Sequence, residues 1–141
     1  WEALSDPQHA GLQRWVRDLN QVYAEHAALW QVDFDFTGFS WIDPHDHENS
    51  VVSFIRFAKD TANHVIVVVN FTPVVRQAYR IGVPVAAYYR ELLNSDAEAY
   101  GGSNVGNGGG VLTDITPSHG HKQSVTLTLP PLGILMLKPV L

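Results

Sequence analysis

A chain of 141 residues is the size of one ordinary domain, enough for a single core and too short for a multi-domain enzyme. It is 45% hydrophobic and 16% charged, which sets aside disorder and coiled coil, and with 9 Lys and Arg against 14 Asp and Glu it offers no positive field for nucleic acid. The chain holds 0 cysteines, so no disulfide or thiolate metal site is available, and no apolar run reaches the ~18 to 20 residues of a membrane span. The opening WEALSDPQHAG has neither the basic nor the apolar part of a signal peptide. A soluble protein is expected, with no membrane and no nucleic-acid partner.

From Pro7 to His26 the apolar residues Leu12, Trp15, Val16, Leu19, Val22 and Tyr23 recur at intervals of three and four, which predicts an amphipathic helix. Its start is marked either by Ser5 with Gln8 reaching back or by Asp6 with Pro7 in the first turn. The period is then lost. Asp33 to Pro44 alternates polar with large apolar residues and reads as an extended connector. His45-Asp46-His47-Glu48 gathers four residue types that bind metals, but on a loop, with no further ligand at a recognisable spacing, it reads as solvated polarity. No metal site is expected.

From Ser50 onward the signals are those of strands: Val51–Ala58 alternates, Lys59–Asn63 is a turn, and His64–Phe71 is an apolar run suited to a strand covered on both faces. Further strands are expected at Val74–Tyr79, Ala87–Leu93, Ser124–Leu129 and Gly133–Leu137, separated by turns at Gly82–Pro84, Asn94–Asp96 and Pro130-Pro131. The fold expected is mainly β: an antiparallel β-sandwich over 48–141, preceded by one amphipathic helix and a connector over 1–47. One sandwich face covers only part of such a helix, so the chain reads as the tail of a longer protein.

Glycine-rich Tyr100–Gly110 lacks the lysine ending and following helix of a phosphate loop, and reads as a mobile or tightly folded surface loop. Ser118-His119-Gly120-His121 sets a hydroxyl beside two imidazoles, although a catalytic relay needs partners that the fold brings together. Asn70-Phe71-Thr72 matches a glycosylation sequon but ends a buried-looking strand. Trp41, Tyr88, Tyr89 and Tyr100 can stack on sugar rings or pack in a core or interface.

The stretch His9–Asp43 and, after it, four motifs in order carry a family likeness: NSVVSFIR (Asn49–Arg56), VVNFTPVVRQAYRIGVP (Val68–Pro84), RELLNSDAEAYGGSNVGNGG (Arg90–Gly109) and LTLPPLGILMLK (Leu127–Lys138). The chain resembles the C-terminal region of bacterial glycogen (1,4-α-glucan) branching enzymes of the α-amylase superfamily. The resemblance implies that the helix is the last of a catalytic (β/α)₈ barrel lying upstream and that the rest is the amylase-type C-terminal β-domain. It implies a parent enzyme, cytoplasmic and without a cofactor, that moves an α-1,4 glucan segment to a 6-hydroxyl through a carboxylate pair in the barrel, so no catalytic residue is carried over. Leu12, Trp15, Val16, Leu19 and Tyr23 are then the barrel-facing stripe, and the barrel of the same chain is the partner. Trp41, Tyr89 and Tyr100 are the residues to contact glycogen or another α-glucan, should the tail be a binding module, and a tail from another glucanotransferase of the superfamily is the remaining alternative.

Overall fold

In the computed structural model, which describes residues 2–141, helix α1 (Pro7–Glu25) forms where the spacing predicts it. Asp6 is the cap: its carboxylate accepts the Gln8 amide at 2.8 Å, and Pro7 sits in the first turn, where its missing N–H leaves no bond unmade. A 3-10 turn at Ala27–Leu29 follows and lays Ala28 against the sheet, fully buried.

The strands are β1 (Phe39–Asp46), β2 (Val51–Phe57), β3 (His64–Asn70), β4 (Arg76–Val83), β5 (Tyr88–Asn94), β6 (Gly110–Leu112), β7 (Gln123–Leu129) and β8 (Gly133–Val140). They pair antiparallel into a six-stranded sheet of order β1-β2-β3-β8-β5-β6 and a two-stranded sheet of β4 and β7. Ile55, Ile66, Leu135 and Leu137 of the large sheet meet Ile81, Val125 and Leu127 of the small one in the main core. As its apolar run predicts, β3 is covered on both faces. Val65 and Val67 point away from the main core and pack with Ala28 and Ala58 in a second cluster.

Two expectations need correction. The sheet starts at Phe39 and not at residue 48, so the division into 1–47 and 48–141 leaves an edge strand on the helix side of the boundary. Register shifts follow Trp41 and Asp43 and Pro44 is tolerated on an edge, so a segment whose alternation reads as a connector is an irregular edge strand. Likewise β4 runs through Gly82 instead of turning there. The Ser118 carbonyl oxygen lies 2.0 Å from where a Cβ on Gly82 would be, so this glycine serves close backbone approach.

At the mouth of the core, buried His64 spans two partners at 3.1 Å each: Nδ1 faces the Thr61 carbonyl, and Nε2 faces the Tyr89 hydroxyl. A carbonyl only accepts, so Nδ1 carries the proton and Nε2 accepts from tyrosine. Burial holds the imidazole pKa below its usual 6.5, and burial pushes the Tyr89 phenol up to about 12. Because the folded-state value is depressed, the neutral ring's stabilisation is complete above about pH 6.5 and is lost as pH falls below it, when the unfolded chain takes up a proton that the folded chain resists. Urea unfolding at pH 7.5 and pH 5 is expected to show this loss, and His64→Gln is expected to reduce the pH dependence while lowering stability at pH 7.5.

Candidate functional site: a latched helix with an open apolar face

The glycine-rich segment is a fastened loop, and its fastenings are polar side chains. Glu91 of β5 accepts the Asn107 amide at 3.1 Å and the Gly109 amide at 3.2 Å. Asp96 accepts from Ser103 and Val105, each at 3.0 Å, and Asn94 donates to the Val105 carbonyl at 2.8 Å. Asn107 crosses to β7, accepting the Thr128 amide at 2.8 Å and donating to its carbonyl at 3.1 Å. Of the two readings of this loop, the tightly folded one holds.

The loop presents a 3-10 turn, Glu98–Tyr100, to α1. Helix and turn meet at Gly11, where a Cβ would stand 2.3 Å from the Tyr100 carbonyl oxygen. One turn on, Trp15 packs edge-on against the Tyr100 ring, with centroids 5.2 Å apart and planes at 77°. The Tyr100 hydroxyl donates to Asp18 at 2.9 Å, and Arg14 donates to the Ala99 carbonyl. Asp18 is held below the usual carboxylate range by bonds from Arg17 and then Tyr100; the Tyr100 phenol is raised, first by burial and then by that same bond. Gly11, Trp15 and Asp18 thus form the face of α1 that locks onto the sandwich.

The neighbouring face stays open. Leu12, Val16 and Tyr23 are 61%, 48% and 50% exposed, so the stripe predicted as one surface is split, with Trp15 turned inward to the latch and these three left in water. Leu19 and Tyr23 form one wall of a groove of about 370 Å³ that is floored by Phe54, Val67 and Met136 of the large sheet. Beyond it the edge strand adds Phe39, stacked on Phe54 at 5.3 Å, and Trp41, edge-on to Phe39 at 5.0 Å.

The three sugar-contact candidates are not brought together. Trp41 is 52% exposed on β1. Tyr89 is fully buried in the main core beneath His64, so it offers no ring face to a ligand, and the expectation placed on it is corrected. Tyr100 is partly buried, with one side of its ring against Trp15 and its hydroxyl on Asp18.

The histidine clusters also resolve. His119 Nδ1 accepts the Gly82 amide at 3.1 Å and lies 3.0 Å from Ser118 Oγ, while Nε2 faces Asp43 at 3.4 Å. The lone pair that would activate a serine is therefore engaged by backbone. His119 and Gly120, with φ of 47° and 78°, form a two-residue hairpin turn between Ser118 and His121, which accounts for the positive φ without invoking catalysis. Among the described residues, no three His, Cys, Asp or Glu side chains gather to hold a metal. Asn70 is buried and donates to the Val74 and Pro130 carbonyls, so it serves as a loop strut.

Sequence comparison places these features in a family. Residues 41–140 match the family described as alpha amylase, C-terminal all-beta domain. The chain is 58% identical over 139 residues to the 1,4-alpha-glucan branching enzyme GlgB of Aromatoleum aromaticum, covering 99% of this chain and 22% of that protein. It is 51% identical to the GlgB of Aquifex aeolicus, covering 98% and 22%, and 49% identical to that of Prochlorococcus marinus, covering 98% and 18%. The chain spans about a fifth of the length of these relatives.

The latch inverts an ordinary substitution rule. Gly→Ala inside a helix commonly stabilises by about 0.5 to 1 kcal/mol, yet Gly11→Ala meets the Tyr100 backbone and is expected to destabilise. Tyr100→Ala, which removes the ring from Trp15, is expected to cost about 2 kcal/mol, whereas Tyr100→Phe keeps most of the packing. Urea titrations of the three variants check the order.

Proposed function

We propose that the chain, which belongs to the alpha amylase C-terminal all-beta domain family, is the non-catalytic end of a 1,4-α-glucan branching enzyme and buttresses the part that carries the chemistry. The observation that carries this reading is the open stripe of α1. Leu12, Val16 and Tyr23 stand in water here, while four-fifths of the length of the relatives lies outside these residues. A helix latched by one face and apolar on the next is built to be covered by a second body.

The acidic side chains support the same conclusion, because most have structural partners. Asp33 pairs with Arg56, Asp35 holds Thr37, Asp46 binds Tyr79 and Asn49, and Glu91 and Asp96 organise the glycine-rich loop. Transfer of an α-1,4 glucan segment to a 6-hydroxyl would then belong to carboxylates elsewhere in the parent enzyme. No cofactor enters this reading. The expected partner is the catalytic barrel of the same polypeptide, and a cytoplasmic site follows from the same assignment. No helix among the described residues is long and apolar enough to cross a membrane.

A second reading has one observation in its favour: half-exposed Trp41 can meet a glucan ring on the surface of the assembled enzyme. Affinity electrophoresis through glycogen separates the two. Buttressing predicts that Trp41→Ala leaves the mobility of the full-length enzyme unchanged, and loss of retardation would favour glucan contact.

For buttressing itself the direct test is Val16→Asp in the full-length enzyme. Val and Asp have similar helix propensities and the side chain is half-exposed in this chain, so the local cost is about 1 kcal/mol of lost partial burial, but an interface would have to bury an unpaired carboxylate at several kcal/mol. A marked fall in melting temperature, with kcat of the surviving folded fraction retained, is expected. An unchanged melting temperature would remove the barrel-support role.

A further inference from the structure

We propose that the connector between α1 and β1 is a preformed plug, carrying Phe34 and Phe36, that seats in an apolar recess of the parent enzyme outside these residues. The inference rests on the buttress reading and names the anchor of that interface. Phe34 and Phe36 are 106% and 88% exposed, more than any aromatic on the α1 stripe. Large apolar rings left this open cost free energy unless another surface covers them.

The connector holding them is fixed from both sides. Asp33 pairs with the Arg56 guanidinium, which also donates from Nε to the Gly38 carbonyl at 3.2 Å. Asp35 accepts the Thr37 amide at 2.8 Å and its hydroxyl at 2.7 Å. Gln31 accepts the Lys59 amide at 2.9 Å, which ties the start of the connector to the turn after β2. Gly38 is buried so closely that a Cβ would lie 2.0 Å from the Val32 carbonyl oxygen. Within Asp33-Phe34-Asp35-Phe36 the carboxylates are the fastenings and the intervening rings are what is displayed. A pair of aromatics already held in place loses little conformational entropy on docking, which is the property of an interface anchor.

The occupant is protein. A carboxylate that holds a sugar hydroxyl must be free to accept, but the two that flank Phe34 are engaged, Asp33 by Arg56 and Asp35 by Thr37. Four-fifths of the length of the relatives is available to supply the recess, and the same body must cover Leu12, Val16 and Tyr23. Phe34 also edges a cleft of about 580 Å³ shared with Trp30, Ala58 and Thr61, space into which a partner side chain can enter beside the plug.

The test is Phe34→Ser with Phe36→Ser in the full-length branching enzyme, followed by hydrogen exchange and thermal unfolding, with Val16→Asp in parallel. The expected result is slow exchange of residues 31–38 in the unsubstituted enzyme and acceleration on the order of tenfold or more in the double variant, with a lower melting temperature. Unaltered β3 exchange certifies the fold; if β3 also loses protection, Phe34→Ser alone carries the test. Exchange and melting that match the unsubstituted enzyme overturn the plug. If Val16→Asp still destabilises in that case, buttressing stands without it, and if neither variant has an effect both readings fall. Two further results overturn the plug: loss of glycogen retardation with stability unchanged, which assigns the rings to sugar, and dissociation of an oligomer with exchange of 31–38 unchanged, which assigns them to a second copy.

Discussion

The close approach of α1 to the turn at Glu98–Tyr100 sets the rest of the architecture, because a helix can bury one face on a loop only if that loop is as rigid as a sheet. Gly11 gives the contact its short distance, and the Trp15 and Tyr100 rings give it area. The rigidity comes from elsewhere. Glu91, Asn94, Asp96 and Asn107 satisfy backbone groups of the glycine-rich loop, so a segment whose composition favours disorder is tied to β5 and β7. With the helix fixed in rotation by the latch, its second apolar face has one direction left, which is outward.

Why the sheets were legible in the sequence and the latch was not follows from the range of the interactions. The runs that became β2, β3, β7 and β8 carry their burial in local alternation or in continuous apolar character, and β3 is covered on both faces as its composition demands. Strand β1 carries alternation too, but the same alternation begins at Asp33, before the strand, and runs into Pro44, so it reads as a connector, and β6 has only three residues inside a glycine-rich stretch. The latch joins positions 85 and 82 apart in sequence, Arg14 to Ala99 and Asp18 to Tyr100, and neither residue of such a pair carries a local sign of the other.

The site shows the same division. The period of α1 marks one apolar stripe, but period alone does not tell which of its residues the sandwich takes and which it leaves exposed. Trp15 went to the sandwich, while Leu12 and Val16 did not. Tyr89 and Tyr100 illustrate a second limit. A tyrosine has an apolar body and a polar tip, so core, interface and sugar platform all suit it, and only its partners decide: His64 for one, Asp18 for the other. The four residues Asp33–Phe36 held a signal that alternation expressed but did not interpret. Their period of two belongs to a loop whose acids face their hydrogen-bonding partners and whose rings face away.

These features divide the stability of the molecule into two parts. The main core between the sheets and the second cluster under Ala28 are complete within these residues, with Ile55, Ile66, Leu135, Leu137 and Val65 all essentially removed from water. The outer face keeps Leu12, Val16 and Tyr23 about half in water. Covering the exposed half of Leu12, Val16 and Tyr23 would return about 1 kcal/mol each, a few kcal/mol together, which is a sizeable share of the ~5 to 15 kcal/mol net stability of an ordinary domain. A partner that covers the stripe therefore adds to the stability of the sandwich through the latch, and a latch that holds α1 in place lowers the ordering cost of that docking. The two are linked by one helix, so weakening the contact at Gly11 and Tyr100 would also weaken docking on the neighbouring face of α1, although no residue of that face has changed.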